Sequence, residues 1–162
     1  MAMTVNGIIA KENDETPWSN PVWKNYYRIA KSFKAIILGR RTFAIMKDVN
    51  EFDKIGNPFV AVVGHENAHV HSNSSFVKSP QAALQLLKKK KFSKVLLGGG
   101  SKVNAAFMKE GLVDEIYLDV EPLLFGKGFR LFTDEAFERK LKLIGIRKLA
   151  KDIIELHYKV RK

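Results

Sequence analysis

Apolar runs of strand length alternate with helix signals from one end of this chain to the other, and that alternation restricts it to an α/β fold. Thr4 to Ala10, Ala35 to Leu38, Phe59 to Val63 and Val95 to Leu97 are the runs, of the type found in strands covered on both faces of a mainly parallel sheet. Between the first two, Asn20 as a cap and Pro21 start a helix with Trp23, Tyr27 and Ala30 on one side. A second helix starts at Ser79-Pro80 and ends in Lys88 to Lys91, where cations complement the negative end of the helix dipole. A third enters at Ser101, lines one face with Val103, Ala106 and Phe107, and stops at Gly111. Lys47 to Asn57 and Gly64 to Ser74 are polar and read as surface loops. Glu115 to Val120 is a strand. Leu141 to Arg147 and Ile153 to Val160 flank Lys148 to Asp152 closely enough to pair as an antiparallel hairpin. The expectation is a single domain over residues 1–162, a mainly parallel sheet with an antiparallel C-terminal edge.

Composition narrows the function. With 162 residues and 46% hydrophobic content the chain can bury one sizeable core. It has no cysteine, which removes disulfides, thiol nucleophiles and thiolate metal sites. The histidines are His65, His69, His71 and His157, with no carboxylate cluster beside them, so no metal site is expected. No stretch reads as a signal peptide or membrane span, so the expected location is the cytoplasm, away from membranes. The net charge of +11 suits either a nucleic-acid surface or a funnel for an anionic metabolite. Lys88 to Lys91 read as a solvated helix end, and the other basic residues are scattered rather than interleaved with aromatics. A small anionic ligand, not nucleic acid, is the expected partner.

Two strand ends carry chemistry for such a ligand. Gly98-Gly-Gly100-Ser101 follows an apolar strand and opens a helix, a setting that directs backbone N–H groups at a phosphate and leaves no Cβ in its way. Neither standard phosphate fingerprint is complete there, because Val103 stands where the dinucleotide motif has its third glycine. Gly39-Arg-Arg-Thr42-Phe43 repeats the arrangement, with a cap in Thr42 and two guanidiniums. Ligands in open α/β sheets collect at the carboxyl ends of strands, so the two sites reinforce each other. On a later strand Asp119 and Glu121 share one face at a period of two and could bind ring N–H groups or supply a proton.

Met3 to Trp18 with its Pro17-Trp18 ending, Gly39 to Phe43, Gly98 to Ser101 and Leu112 to Gly128 occur in the order that resembles the dihydrofolate-reductase-like superfamily. The Leu112 to Gly128 segment most resembles the C-terminal reductase domain of bacterial riboflavin biosynthesis. The resemblance implies a three-layer α/β/α fold with about eight strands and a reductase that passes hydride from NADPH to a pyrimidine- or pteridine-like substrate. The first substrate implied is 5-amino-6-(5-phosphoribosylamino)uracil and the second a folate or pterin; a nucleotide-binding module without turnover is the alternative. It also implies a homodimer. Carried over, Ala10 meets the nicotinamide through its backbone, and Gly39, Arg40, Arg41 and Thr42 meet the adenosine-side phosphates. Gly64 and His65 lie near the ribose, Gly98, Gly99, Gly100 and Ser101 hold the pyrophosphate with a cis peptide at Gly98-Gly99, and Lys102 and Val103 are further cofactor contacts. Asn6, Trp18, Trp23 and Tyr27 are the expected substrate-side residues, with Asp14 and Glu15 on the entry loop as further pocket candidates; Asp119, ahead of Glu121, is the expected replacement for the family's carboxylate as catalytic acid. Three departures stand out. Trp23 replaces the helix carboxylate of folate enzymes, Asn6 replaces an aspartate usual in riboflavin reductases, and no Asp-Asp-Pro occurs in residues 47–57. Arg40 and Arg41 favour a 2′-phosphate and Glu66 a bare hydroxyl, with His65, Asn67 and Lys102 offsetting the acid.

Overall fold

A computed structural model describes residues 1–65 and 73–161. In chain order the elements are β1 (Ala2–Thr4), β2 (Ile8–Ala10), α1 (Asn20–Ala30), β3 (Ala35–Gly39), α2 (Arg40–Asp48), α3 (Glu51–Lys54), β4 (Phe59–Val63), β5 (Ser74–Val77), α4 (Pro80–Lys89), β6 (Leu96–Gly99), α5 (Ser101–Lys109), β7 (Glu115–Glu121), β8 (Phe129–Arg130), β9 (Leu141–Ala150) and β10 (Ile153–Val160). They divide into two compact units, residues 27–103 and residues 1–26 with 104–162.

The unit of residues 27–103 is built on a parallel sheet of order β5-β4-β3-β6. Ile36, Ile37 and Leu38 of β3 and Val60, Ala61 and Val62 of β4 are all 2% exposed or less, as strands without in-out alternation require. In α4, Ser79 accepts from the Ala82 N–H at 3.1 Å while Ala83 and Leu87 turn inward. Burying a leucine of this kind contributes about 1.5–3 kcal/mol. Residues 47–57, expected as a surface loop, instead hold the end of α2 and all of α3. Phe52 and Ile55 sit one turn apart and are buried, and Phe43 packs on Phe52 at 5.7 Å and on Phe76 at 5.9 Å. The stretch has three apolar side chains, of which Val49 is exposed, so two buried ones leave too short a pattern to read. The N-cap of α2 is Gly39, not Thr42, and no side chain caps it.

The unit of residues 1–26 and 104–162 has a sheet of order β1-β7-β10-β9 and a two-stranded sheet β2-β8. β1 is parallel to β7 and the remaining pairs are antiparallel. The single strand expected over Thr4 to Ala10 is two strands, split at Gly7 with φ +79°, where the Gly7 N–H donates to the Thr4 carbonyl at 3.0 Å. The Thr4 hydroxyl accepts from the Ile8 N–H and secures the turn. The C-terminal hairpin is tighter than expected: β9 continues to Ala150, leaving Lys151-Asp152 as the turn. Helix α1 opens from Ser19, whose carbonyl accepts from the Trp23 N–H, so Asn20 is its first residue rather than its cap. Gly111, φ +68°, ends α5 as the sequence suggests. The described residues thus form an α/β fold of ten strands in three sheets, with a parallel sheet and an antiparallel C-terminal hairpin, where about eight strands were expected.

His157 stacks on Tyr117 at 3.8 Å and meets Glu115 at 2.9 Å. His69 and His71 lie outside the described residues, as do Glu66 and Asn67. Among the described residues no group of three or more His, Asp or Glu could hold a metal, and no helix is long and apolar enough to cross a membrane.

Candidate functional site

In the unit of residues 27–103 three strand ends come together through their glycines. β3, β4 and β6 are neighbours in register, with Gly39 opposite Val63 and Leu38 opposite Gly99, so their carboxyl ends lie side by side. A Cβ built on Gly39 would lie 3.0 Å from Val103 Cγ2, 3.8 Å from the Gly99 oxygen and 3.9 Å from the Gly100 nitrogen. One on Gly100 would lie 3.3 Å from Thr42 Oγ1, and one on Gly64, φ +147°, would strike the aliphatic stem of Arg40 at 2.7 Å. Gly39 therefore sits against Gly99, Gly100 and Val103, Thr42 against Gly100, and Gly64 against Arg40, with the first turns of α2 and α5 opening there. Arg40, Arg41, His65 and Lys102 are exposed around them and Ser101 is half-buried. Gly98 has a different reason to be glycine: a Cβ there would lie 2.6 Å from Leu38 and 2.8 Å from Ile36, so it serves the packing of β6 on β3. The cis peptide is at Gly99-Gly100, one residue later than expected, where β6 ends.

The donor set of this cradle suits a dinucleotide. Two helix N-termini direct backbone N–H groups there, glycines allow close approach of phosphates, and guanidiniums stand at the rim.

In the other unit, Ala10 pairs with Phe129, and Gly128, φ +148°, lies directly against the Ala10 carbonyl and the Ile8 side chain. Asn6 is committed to a loop: its Oδ1 accepts from the Thr4 hydroxyl at 2.7 Å, and its Nδ2 donates to the Phe125 carbonyl at 2.7 Å. Phe125 stacks with Trp18 at 6.4 Å, and Trp23 meets Tyr26 edge-on at 5.8 Å. Glu15 is paired with Lys11 at 2.8 Å, which holds its carboxyl below the usual range.

Asp119 and Glu121 are both buried, at 4% and 3% exposure, where sequence reasoning placed them facing a ligand. Asn25 of α1 donates to both oxygens of Asp119 at 2.9 Å and to Glu155 at 2.7 Å. Arg147 donates through Nε to Glu155 at 3.1 Å and through Nη2 to the Asn25 oxygen. Burial pushes the Asp119 carboxyl up; Asn25, the Met1 amino group and Arg147 oppose this, and Glu155 adds to it. Glu121 accepts from the Ser19 N–H at 2.7 Å and its hydroxyl at 2.6 Å, which ties the end of β7 to the start of α1. Tyr27, in residues 27–103, has its hydroxyl pushed up by burial first and then by the neighbouring Glu51 carboxylate. Glu51 is buried, pairs with Lys54 at 3.1 Å and has one oxygen, Oε1, without a partner.

Asn25, Glu155, Arg147, Ser19, Gly128 and Glu51 were not singled out from sequence. A signal existed for two of them. Asn25 lies one turn from Val22 and Ile29 on a buried helix face, and Glu155 keeps the inward parity of Ile153. A polar residue on an apolar parity marks a buried hydrogen-bond network.

The family model for the RibD C-terminal domain matches residues 1–155. The chain belongs to that family. Its fold is accordingly dihydrofolate-reductase-like, of the kind carried by riboflavin-biosynthesis reductases. YwjB of Bacillus subtilis (strain 168), an uncharacterized protein, is 27% identical to this RibD C-terminal domain over 98% of the chain and 94% of its own length. A candidate riboflavin biosynthesis protein from Shewanella sp. PV-4 matches with a TM-score of 0.81 at 20% identity, over 100% of this chain and 97% of its own. The diaminohydroxyphosphoribosylaminopyrimidine deaminase/5-amino-6-(5-phosphoribosylamino)uracil reductase of Thermotoga maritima gives a TM-score of 0.79 at 18% identity. That match covers 99% of this chain and 55% of the Thermotoga one.

Proposed function

We propose that this RibD C-terminal domain is an NADPH-dependent reductase acting on 5-amino-6-(5-phosphoribosylamino)uracil or a closely similar ribosylaminopyrimidine. The observation that carries the proposal is the meeting of Gly39, Gly64 and Gly99-Gly100 at the carboxyl ends of three parallel strands. Bound NADPH would supply the hydride. Backbone N–H groups at the starts of α2 and α5 would bind its phosphates, with Ser101, Lys102 and Val103 flanking them. Arg40, Arg41 and His65 would meet the 2′-phosphate, and the Ala10 backbone, fixed by Gly128, would orient the carboxamide. Trp18, Trp23 and Tyr27 are the proposed aromatic contacts for the substrate ring. Asn6 acts by holding the Phe125 loop. Asp119 and Glu121 act through their partners: Asp119 fixes α1 by way of Asn25, and Glu121 fixes the Trp18-Ser19 segment. Trp23 in place of a helix carboxylate favours the pyrimidine over a folate, which needs an acid to support ring protonation.

The test is to mix the protein, NADPH and the ribosylaminopyrimidine and follow the loss of reduced nicotinamide absorbance. Turnover is expected with this substrate and not with dihydrofolate. NADPH binding without turnover on any pterin or ribosylaminopyrimidine would overturn the reductase and leave a nucleotide-binding module.

A further inference from the structure

At the amino ends of the same parallel strands, a strand length or about 15 Å from the glycine turns, lies a feature that the reductase proposal does not use. Two chain segments of similar composition, Lys31-Ser-Phe33-Lys34 and Lys91-Phe92-Ser-Lys94, lead into β3 and β6. Ile36 pairs with Leu96, so Lys34 and Lys94 occupy equivalent places just ahead of adjacent parallel strands. The Phe59 N–H donates to the Lys34 carbonyl at 2.9 Å, which brings the start of β4 into the same group. Phe59 stacks with Phe92 at 5.8 Å, and Lys90 Nζ stands 4.5 Å from the Phe59 ring. Phe33 and Phe92 remain half-exposed.

Lys31, Lys34, Lys94 and the run Lys88 to Lys91 are all exposed, and none of them forms an ion pair among the described residues. Neither segment contains an acid. The end of a helix dipole carries only about half a charge, so α1 and α4 together balance about one of these cations. The surplus repels itself and is relieved by a ligand that carries several negative charges in a row. Lysines that appear scattered along the sequence are thus interleaved with aromatic rings once β3, β4 and β6 align.

We infer that this edge of the unit of residues 27–103 binds single-stranded nucleic acid, with the lysines on backbone phosphates and Phe92 offering a stacking surface to a base. Lysine charge without planar arginine forks suits contact with a backbone rather than readout of sequence. A stacking ring beside such a strip distinguishes single strands from other polyanions.

Fluorescence anisotropy of labelled oligouridine with the full chain tests the inference, with heparin and phosphatidylglycerol vesicles as competitors. Binding is expected to weaken with salt by a slope of about −0.7 in log K per phosphate neutralised. Lys34→Gln with Lys94→Gln should make that slope shallower by about 1.4. Phe92→Leu should weaken oligouridine binding about tenfold and leave heparin binding as it was. Saturating NADPH should displace nothing, which separates this strip from the glycine cradle whether or not the reductase proposal holds. No binding at low salt, an unchanged slope in the lysine variant, or displacement by NADPH would overturn it. So would equal behaviour of oligouridine and heparin in Phe92→Leu, or tighter binding to the vesicles than to oligouridine.

Discussion

Gly39 and Gly128 show how differently two glycines can be required. Gly39 has φ −79°, open to any residue, and a Cβ there needs only a few tenths of an ångström from Val103. Gly39→Ala is therefore expected to change stability by less than about 1 kcal/mol in urea denaturation. It should nonetheless weaken NADPH binding by calorimetry about tenfold, because the methyl group enters the cradle. Gly128 combines φ +148° with contact against the Ala10 backbone, which cannot rotate away. Gly128→Ala should lose at least about 1–3 kcal/mol of stability, from backbone strain alone. Charge at the rim gives a third residue-level expectation. Replacing Arg40 and Arg41 together by Gln should raise the Kd for NADPH about tenfold and leave that for NADH nearly unchanged, since a charge-assisted bond to phosphate contributes about 1.5–3 kcal/mol. The paired arginines and the glycine triplet are legible in sequence as anion chemistry. That Gly98 serves packing while Gly39, Gly64, Gly99 and Gly100 form the cradle is not, because it depends on which side chains of β3 lie across from each glycine.

At the scale of elements, the contact of α1 with β7, β9 and β10 is polar where a helix on a sheet is ordinarily apolar. Asn25 serves two carboxylates, Asp119 and Glu155, and Arg147 closes the set from a half-exposed position. Asn25→Ala leaves buried acids without their donor and should cost about 3 kcal/mol near neutral pH. The pH dependence follows from the direction of the Asp119 shift. Burial raises its folded-state pKa above the unfolded value, so the folded protein holds this proton more tightly than the unfolded chain does. The stability Asp119 contributes is fully present below about pH 3.9 and is lost as pH rises through the folded pKa. Urea titrations of the wild type and Asp119→Asn should therefore show the wild type's advantage shrinking as pH is raised. An advantage that grows with pH would mean that Asn25 and Arg147 stabilise the carboxylate more than burial opposes it. The carboxylates at positions 119 and 121 are visible in sequence as a pair with period two. Their partners come from residues about a hundred positions away, so whether the acids meet a ligand or a helix is decided by tertiary contact.

At the scale of the whole molecule, the C-terminal hairpin presents β9 as a sheet edge with Leu143, Ile144 and Ile146 exposed at 45%, 44% and 63%. An edge of that length invites pairing with another chain. We propose that the protein is a homodimer joined there, in which case Ile146→Lys should shift the mass measured by light scattering from two copies to one. A wild type that is monomeric at all concentrations would remove that interface.

What the sequence determines by itself is the class of fold and the location of the glycine turns, because strand-length apolar runs, helix caps and glycines at strand ends are local signals fixed by backbone geometry and solvent exclusion. The tertiary structure alone decides what depends on distant partners. It turns Asp119 and Glu121 inward onto α1, commits Asn6 to the Phe125 loop, places α3 in a polar stretch, and gathers lysines and phenylalanines from separate segments at one end of a sheet. Each of these follows from side chains meeting across strands or helices far apart in the chain, and such meetings leave no period in the residues between them.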